Sequence, residues 1–364
     1  MAGGQTVLQV LPHLPGSNDG VGDYALTLAR RLREDHALTS IFAVADETSA
    51  TDRNGFKVLS GLPSLSYAPC DHVLLHYANY GYHSRGIPLR LVKIAQERRG
   101  RIPGRWVTVF HELYASGPPW RSAFWLRPLQ VGIARKMISL STSCIVSNEV
   151  VRREILRSDG EKRVRLLPVM SNFGEPAEIV NDRKKPGRWT ICGGSSLIER
   201  SLRTFRRMHS SIPPELAPTE LEIVGGSATQ EVLEEMRRLK EMLPSLCLHH
   251  YPQIEAEAAS KILETCSLAW LDYFGSGKAW PGMIFKSGSF AACCAHGVIP
   301  VVSHREPALA VASDVLPGPF FWTPQAHLFP DLAGLSEIQN ALHSWYERNA
   351  SSRHAATVYA EELA

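Results

Sequence analysis

The sequence predicts an α/β protein built as two Rossmann-like domains facing a central cleft. Three observations carry that expectation. Short apolar runs alternate with stretches of helical periodicity, the rhythm of a doubly wound parallel sheet. The rhythm breaks once, in a polar segment with two prolines after Gly174, and then restarts. Late in the chain, Lys286 to Val302 has the pattern of a polar glycine-containing turn, a short helix of small residues, a glycine stop at Gly297 and a buried strand.

Taken in order, Val7 to Leu11 is an apolar run followed by a Pro/Gly-rich loop from Pro12 to Gly22. Asp23 then opens a helix, with Tyr24, Leu28 and Leu32 at helical spacing. Strand-like runs follow at Ile41 to Ala45, Val73 to Tyr77, Trp106 to Phe110, Cys144 to Ser147 and Val164 to Val169. Helical patterns lie around Leu89 to Arg98, Leu126 to Leu140 and Glu149 to Arg157. In the second half, Trp189 to Cys192 enters Gly193-Gly194-Ser195-Ser196, with a helix from about Ser201. Leu221 to Val224 enters Gly225-Gly226-Ser227, with a helix from Thr229 to Met242, and Leu246 to His250, Leu268 to Leu271 and Val298 to Val302 supply further strands. The expected division is an N-terminal domain over residues 1–175, a linker over 176–188 and a C-terminal domain over 189–345. Residues 346–364 form a terminal helix that could cross back to the N-terminal domain.

A chain of 364 residues, 44% hydrophobic and 21% charged, is ordinary for a two-domain globular protein. The net charge of +3 hides an uneven distribution: Arg85 to Arg165 holds 17 Lys and Arg against 6 Asp and Glu. Such a segment suits a phosphorylated ligand, nucleic acid or an anionic membrane surface, and equally a solvated face. The seven cysteines are scattered, with Cys293 and Cys294 adjacent, unlike a disulfide framework. The N-terminus lacks the basic and apolar parts of a signal peptide, and no run reaches the length of a membrane span. A cytoplasmic protein is expected, with peripheral attachment at the inner face of the membrane as the option the basic segment opens.

Ligands of open α/β sheets sit beyond the carboxyl ends of the strands, so the loops there hold the candidate residues. Lys286, Ser287, Gly288 and Ser289 place a cation, two hydroxyls and backbone N–H groups at a helix start, which suits a phosphate. An ordinary capped αβ unit would have the same pattern. Gly20 and Gly22 would let backbone approach a phosphate or an acceptor, or simply form a flexible turn. A nicotinamide enzyme is disfavoured, because Gly20-Val-Gly-Asp lies far beyond its strand end and lacks the third glycine. No P-loop occurs. His72 and His76 are four apart, but on a strand that puts them roughly 13 Å from each other, too far for one metal ion.

In this order, the motifs resemble those of the GT-B glycosyltransferases, closest to the family 4 type. Pro12 to Leu32 resembles their glycine-rich first loop and helix, and Val107 to Tyr114, with Phe-His-Glu at its centre, resembles their strand ending in a cleft histidine. Ile145-Val-Ser-Asn-Glu-Val-Val and Leu167-Pro-Val-Met-Ser-Asn172 are similar to the elements before the linker, and Lys286 to Val302 to the donor-binding turn, helix and strand. The chain departs from the family's two glutamates seven residues apart: Leu271 to Ser289 contains no glutamate, and Lys and Ser stand at that helix start.

The resemblance implies a nucleotide-sugar donor bound by the C-terminal half and a glycan or lipid-linked acceptor bound by the N-terminal half, with no nucleic acid partner and no cofactor beyond the sugar nucleotide. Transfer leaves a diphosphate with growing negative charge, which needs a metal or fixed cations and N–H dipoles. No Asp-x-Asp pair is present, so the metal-free solution is expected, from Gly193, Gly194, Arg200, Lys278, Lys286 and the Ser287–Ser289 turn. Arg200 and Lys278 are equally compatible with solvated surface charge. His111 occupies the position where the family touches the transferred sugar. Glu112, Asp19 and Asp23 are acids suited to a general base if the reaction inverts, although Asp23 also suits a helix N-cap. The reading is a glycosyltransferase of cell-surface polysaccharide or glycolipid assembly. A catalytically silent binding or scaffold protein of the same fold is the alternative, motivated by the absent glutamates.

Overall fold

The computed structural model describes residues 4–15, 20–115, 117–273, 282–302, 309–317 and 333–364. The chain divides into two compact units, Met1–Pro168 with Ser352–Ala364, and Val169–Ser351.

The first unit holds one sheet of strands β1 (Thr6–Leu11), β2 (Thr39–Val44), β3 (Asp52–Arg53), β4 (Phe56–Ser60), β5 (His72–Tyr77), β6 (Trp106–Phe110), β7 (Ser143–Val146) and β8 (Arg163–Leu166). Their order is β3-β4-β2-β1-β5-β6-β7-β8, parallel throughout except β3 against β4. Helices α1 (Gly20–His36), α2 (Ser64–Tyr67), α3 (Asn79–Tyr82), α4 (Leu89–Arg99), α5 (Ser122–Leu140) and α6 (Glu149–Ser158) connect them. One core gathers Leu8, Val10, Val73 and Leu75 with Leu91, Ile133 and Met137 of α4 and α5. The other gathers Leu11, Phe42, Phe56 and Val58 with Ala25, Leu26 and Ala29 of α1. Burial on both faces explains why these strands are apolar runs rather than alternating ones. The strand order reverses between β1 and β5, which is where crossovers diverge and leave a ligand crevice at the carboxyl ends.

The second unit repeats the plan. Strands β9 (Lys185–Cys192), β10 (Glu220–Val224), β11 (Cys247–Tyr251), β12 (Cys266–Leu271) and β13 (Ile299–Val302) form a parallel sheet in the order β11-β10-β9-β12-β13, beside a two-stranded ribbon of β14 (Ala310–Val311) and β15 (Asp314–Val315). Helices α7 (Ser195–Met208), α8 (Gln230–Met242), α9 (Ala256–Leu263), α10 (Gly288–Ala295) and α11 (Leu335–Asn349) connect and cover it. The small residues of α10 do what their size suggests: Ala291 to Ala295 are all buried. Gly297, at φ +59°, ends that helix in the left-handed conformation, where a Cβ would lie 2.7 Å from Ile179. Here the order reverses between β9 and β12.

The last helix, α12 (Ser352–Leu363), belongs to the first unit and lies on α1. Tyr24 and Tyr359 meet through their hydroxyls at 3.0 Å, and Arg31 Nε donates to Ser352 Oγ at 2.9 Å. The buried Glu362 carboxylate accepts from Arg163, on β8, at 2.8 Å.

Several boundaries differ from expectation. The units part between Pro168 and Val169, and Val169 N–H already donates to Phe285 O of the second unit. The expected linker 176–188 ends inside β9, whose first residues, Lys185-Pro-Gly-Arg188, have the composition of a turn. Proline is tolerated at a strand start, and Gly187 is required by close approach, since a Cβ there would sit 2.8 Å from Thr219 Oγ1. Helix α1 begins at Gly20 and α7 at Ser195, each several residues before the predicted start, because glycine and serine pairs conceal a first turn. The β3–β4 hairpin lies outside the expected elements, although its Asn54-Gly55 turn, with φ of +53° and +77°, is a common hairpin signal.

Candidate functional site

Each unit concentrates its candidate residues at the carboxyl ends of its strands. In the first, His111 follows β6 directly, and its N–H and that of Glu112 both approach Tyr77 O at the end of β5, at 3.0 and 3.4 Å. The ring of His111 is half-buried and stacks 5.5 Å from His76, with His76 Nδ1 and His111 Nε2 3.2 Å apart. His76 is fully buried and reaches Gln9 Oε1 through Nε2 at 2.9 Å, while Gln9 Nε2 donates to Ser40 Oγ at 2.8 Å. Burial, and then the neighbouring His111, hold the His76 ring well below the usual histidine range, so it is neutral. Tyr24 of α1 sets its edge to both rings, 6.1 Å from His76 and 5.6 Å from His111.

Glu112 is exposed, and so is Asp23, which lies in the first turn of α1 where an acid favours the helix dipole rather than acting as N-cap. The two glycines differ. Around Gly20 a Cβ would meet nothing within 4 Å, whereas at Gly22 it would lie 3.0 Å from Pro15 Cα, so only Gly22 is dictated by the fold of the Pro12–Pro15 loop.

In the second unit, backbone geometry dominates. Gly193, at the end of β9, has φ +136°, and a Cβ would strike Ser289 Oγ at 2.5 Å. Gly225 and Gly226, at the end of β10, have φ of +93° and +61°. A Cβ on Gly225 would sit 2.7 Å from Gly193 O, and one on Gly226 would sit 3.0 Å from Ser195 N. The two turns are therefore interlocked, held also by Gly193 N–H to Val224 O and by Ser227 N–H to Ser195 Oγ at 2.8 Å. Gly194 precedes α7 as its N-cap, without a side-chain cap, and a Cβ there would meet nothing within 4 Å. In the second turn of α7, Arg200 sends Nε to Asp272 O at 3.3 Å and Nη2 to Tyr273 O at 3.4 Å. It thus links the helix after β9 to the end of β12, across the switch point.

The Lys286–Ser289 segment divides its labour. Lys286 ends a 3-10 turn, Met283–Lys286, and Ser287 caps α10 by accepting from Phe290 N–H at 3.1 Å. Gly288 is crowded: a Cβ would lie 2.3 Å from Asn172 Oδ1. Ser287 and Ser289 are buried, with Ser289 against Gly193, so this turn and the β9 turn form one surface. Asp19 and Lys278 lie outside the described residues. The structure thus brings Ser289 against Gly193 beside the Gly194 start of α7, sends Arg200 of that helix to the end of β12, and places His111 with Glu112 at the end of β6.

Gln9 and Asp272 go unmarked in the sequence, and His76 is weighed there only as a metal ligand beside His72. Gln9 and His76 are polar positions inside apolar strand runs, a pattern that fits no metal or nucleophile site. Asp272, 5% exposed, follows the apolar strand β12, and its backbone N–H donates to Ser201 Oγ at 2.9 Å. Among the described residues, no helix is long and apolar enough to cross a membrane.

No protein-family profile matches the chain, and no curated protein matches it in sequence. Solved structures do match in shape. An alpha-glucosyltransferase in complex with UDP and a 13-mer DNA is similar at a TM-score of 0.62 and 11% identity, covering 99% of this chain and 100% of that one. The N-terminal domain of a Candida albicans trehalose-6-phosphate phosphatase is similar at 0.63 and 12%, covering 100% and 97%. WaaG, a glycosyltransferase involved in lipopolysaccharide biosynthesis, is similar at 0.55 and 13%, covering 98% and 99%. This likeness runs the length of the chain and shows its fold class: α/β, two Rossmann-like units of the GT-B fold.

Proposed function

We propose that this chain is a nucleotide-sugar-dependent glycosyltransferase. The donor diphosphate lies at the strand ends of the second unit, and the acceptor is a glycan or lipid-linked hydroxyl bound at those of the first. The observation that carries this reading is the interlocked turn of Gly193–Gly194 and Gly225–Gly226 at the start of α7, the helix that also sends Arg200 to the end of β12. The open space at Gly194 would admit a diphosphate close to the backbone, the start of α7 offers N–H groups, and Arg200 would supply the charge. That two neighbours in fold are glycosyltransferases, one of them in complex with UDP, supports it.

In the reaction, the bond between the anomeric carbon and the diphosphate oxygen breaks while the acceptor oxygen bonds that carbon and loses its proton. Arg200, Lys286 and the backbone N–H groups of the glycine turns would hold the growing diphosphate charge without a metal. His111 would touch the sugar, and Glu112 or Asp23 would take the proton. Thermal-shift titration with a panel of nucleoside diphosphates and their sugars tests the donor site: stabilisation by one base is expected, and none by any contradicts the reading. Stabilisation without transfer to any glycan, lipid or duplex DNA acceptor would favour the silent binding protein instead, the reading that the absent glutamate pair motivates.

The acceptor side has a surface that suits a peripheral enzyme of an anionic membrane. Trp120 and Trp125 are 84% and 70% exposed, with Phe124 and Leu129 also exposed, at the start of α5. No acid occurs between Glu112 and Glu149, while Arg121, Arg127, Arg135 and Lys136 do. Aromatic tips among arginines insert at a headgroup boundary. Binding to vesicles containing phosphatidylglycerol at low salt, lost in Trp120→Ala/Trp125→Ala, is expected; equal binding of that variant contradicts it.

A further inference from the structure

A cavity of about 550 Å³ opens at the carboxyl ends of β2 and β4 in the first unit. That volume falls within the range of about 300–1,000 Å³ usual for small-molecule sites. Its walls are Glu47 and Thr48 after β2, Ser60 at the end of β4, Leu62 and Pro63 in the turn that follows, and Arg90 in the first turn of α4. Hydrogen bonds fix the two strand ends to each other. Thr48 N–H donates to Ser60 Oγ at 2.8 Å, Gly61 N–H to Asp46 O at 3.3 Å, and Ala50 N–H to Thr48 Oγ1 at 3.1 Å. Gly61 has φ +75°, a conformation that favours glycine, and Ser64 Oγ donates to its carbonyl at 2.7 Å.

The same bonds decide what the cavity offers a ligand. Thr48 and Ser60 each accept from a backbone N–H, which leaves their own O–H protons to donate. Among the described residues, neither Arg90 nor Glu47 makes a hydrogen bond or an ion pair, and they do not pair with each other. A guanidinium beside two hydroxyl donors suits the oxygens of a phosphate, which arginine meets as a two-pronged fork. The Glu47 carboxylate only accepts, and hydroxyl groups are what it would accept from. A bare anion would use one wall, and an uncharged sugar the other.

We propose that this cavity binds a phosphorylated sugar unit, with the phosphate on Arg90 and the sugar hydroxyls on Glu47. Leu62 and Pro63 give the apolar wall that the C–H face of a sugar ring needs. In the strand order β4-β2-β1-β5, the cavity lies two to three strand spacings from β5, roughly 10–15 Å. On the transferase reading, it therefore holds a phosphorylated part of the acceptor remote from the hydroxyl that reacts. That role rests on the reading; the binding itself does not.

Saturation-transfer NMR on the full chain tests this, with hexose 6-phosphates, hexosyl phosphodiesters and the parent hexoses as probes. Transfer to the ring protons of a phosphorylated hexose is expected, with binding about tenfold tighter than that of its parent hexose. Preference for the monoester assigns a free sugar phosphate as the source, and preference for the diester assigns a glycolipid headgroup. Arg90→Ala removes an exposed side chain and should weaken binding about tenfold with the fold intact. Arg200→Ala, in the second unit, should leave it unchanged. No transfer to any phosphorylated hexose, or equal binding by Arg90→Ala, overturns the site. Inorganic phosphate that competes as well as the hexose phosphate overturns the sugar assignment. Nucleoside diphosphate binding without hexose phosphate binding sinks this proposal alone, and the reverse sinks the transferase reading alone.

Discussion

The two units share a doubly wound plan yet furnish their strand ends differently. The first unit spends side chains there: a buried row of Ser40, Gln9 and His76 ending at His111. The second strips side chains away, with Gly193, Gly225 and Gly226 all at positive φ and packed against one another. Side chains select among hydroxyls by hydrogen-bond direction, whereas bare backbone admits a bulky anion and offers N–H groups to it. The difference teaches that one plan can end its strands in a buried polar side-chain row on one sheet and in close-packed bare backbone on the other.

The largest effect that would sharpen this contrast lies in the second unit. Gly225→Ala forces a side chain into φ +93° with its Cβ 2.7 Å from a backbone oxygen. About 3 kcal/mol of stability should be lost, while Gly194→Ala, with open space around it, should stay within about 0.5 kcal/mol. Denaturant midpoints of the two variants check this, and equal losses would break the claim that backbone geometry is what the turn requires.

Acid should reach both units through different buried histidines. Burial, against a partial offset from Ala292 O, brings His296 of the second unit down to about 4. The unfolded chain takes up that proton near pH 6.5 and the folded unit does not, so stability is lost as pH falls from about 6.5 to about 4, by about 3 kcal/mol. His76 acts in the same direction in the first unit. Hydrogen exchange resolved by sheet should show His296→Asn relieving the acid loss in the second sheet alone; relief in both would contradict the assignment.

A smaller effect is expected at the packing of α12. Glu362→Gln weakens the pairing of a buried carboxylate with Arg163 and should cost about 1–3 kcal/mol. Nucleotide-induced stabilisation should persist, because the carboxylate touches no part of the glycine turns. Its loss would show that the first unit, not the second, holds the donor.

Much of this was legible in the sequence. The Val7–Leu11 and Trp106–Phe110 runs, the glycine pairs after β9 and β10, and the Gly297 stop all correspond to elements, because burial on both faces and positive φ leave strong composition marks. Helix starts at Gly20 and Ser195 were hidden, since residues chosen for a turn's close approach have poor helix propensity. Of the candidate site, the sequence marks single residues at strand ends, such as His111 and Arg200. What was not legible is the company they keep: Gln9, Ser40 and His76 are 31 to 67 positions apart and meet only through strand register. Arg200 meets Asp272 and Tyr273 more than 70 residues away.

The central claim is that the second unit's strand ends hold a diphosphate with Arg200 as its charge. Calorimetric titration of the preferred nucleoside diphosphate into the full chain and into Arg200→Ala tests it most directly. Loss of a charge-assisted contact of about 1.5–3 kcal/mol should weaken binding by roughly ten- to a hundredfold with the fold intact. Equal affinity of the two proteins, or no binding to either, would contradict the account.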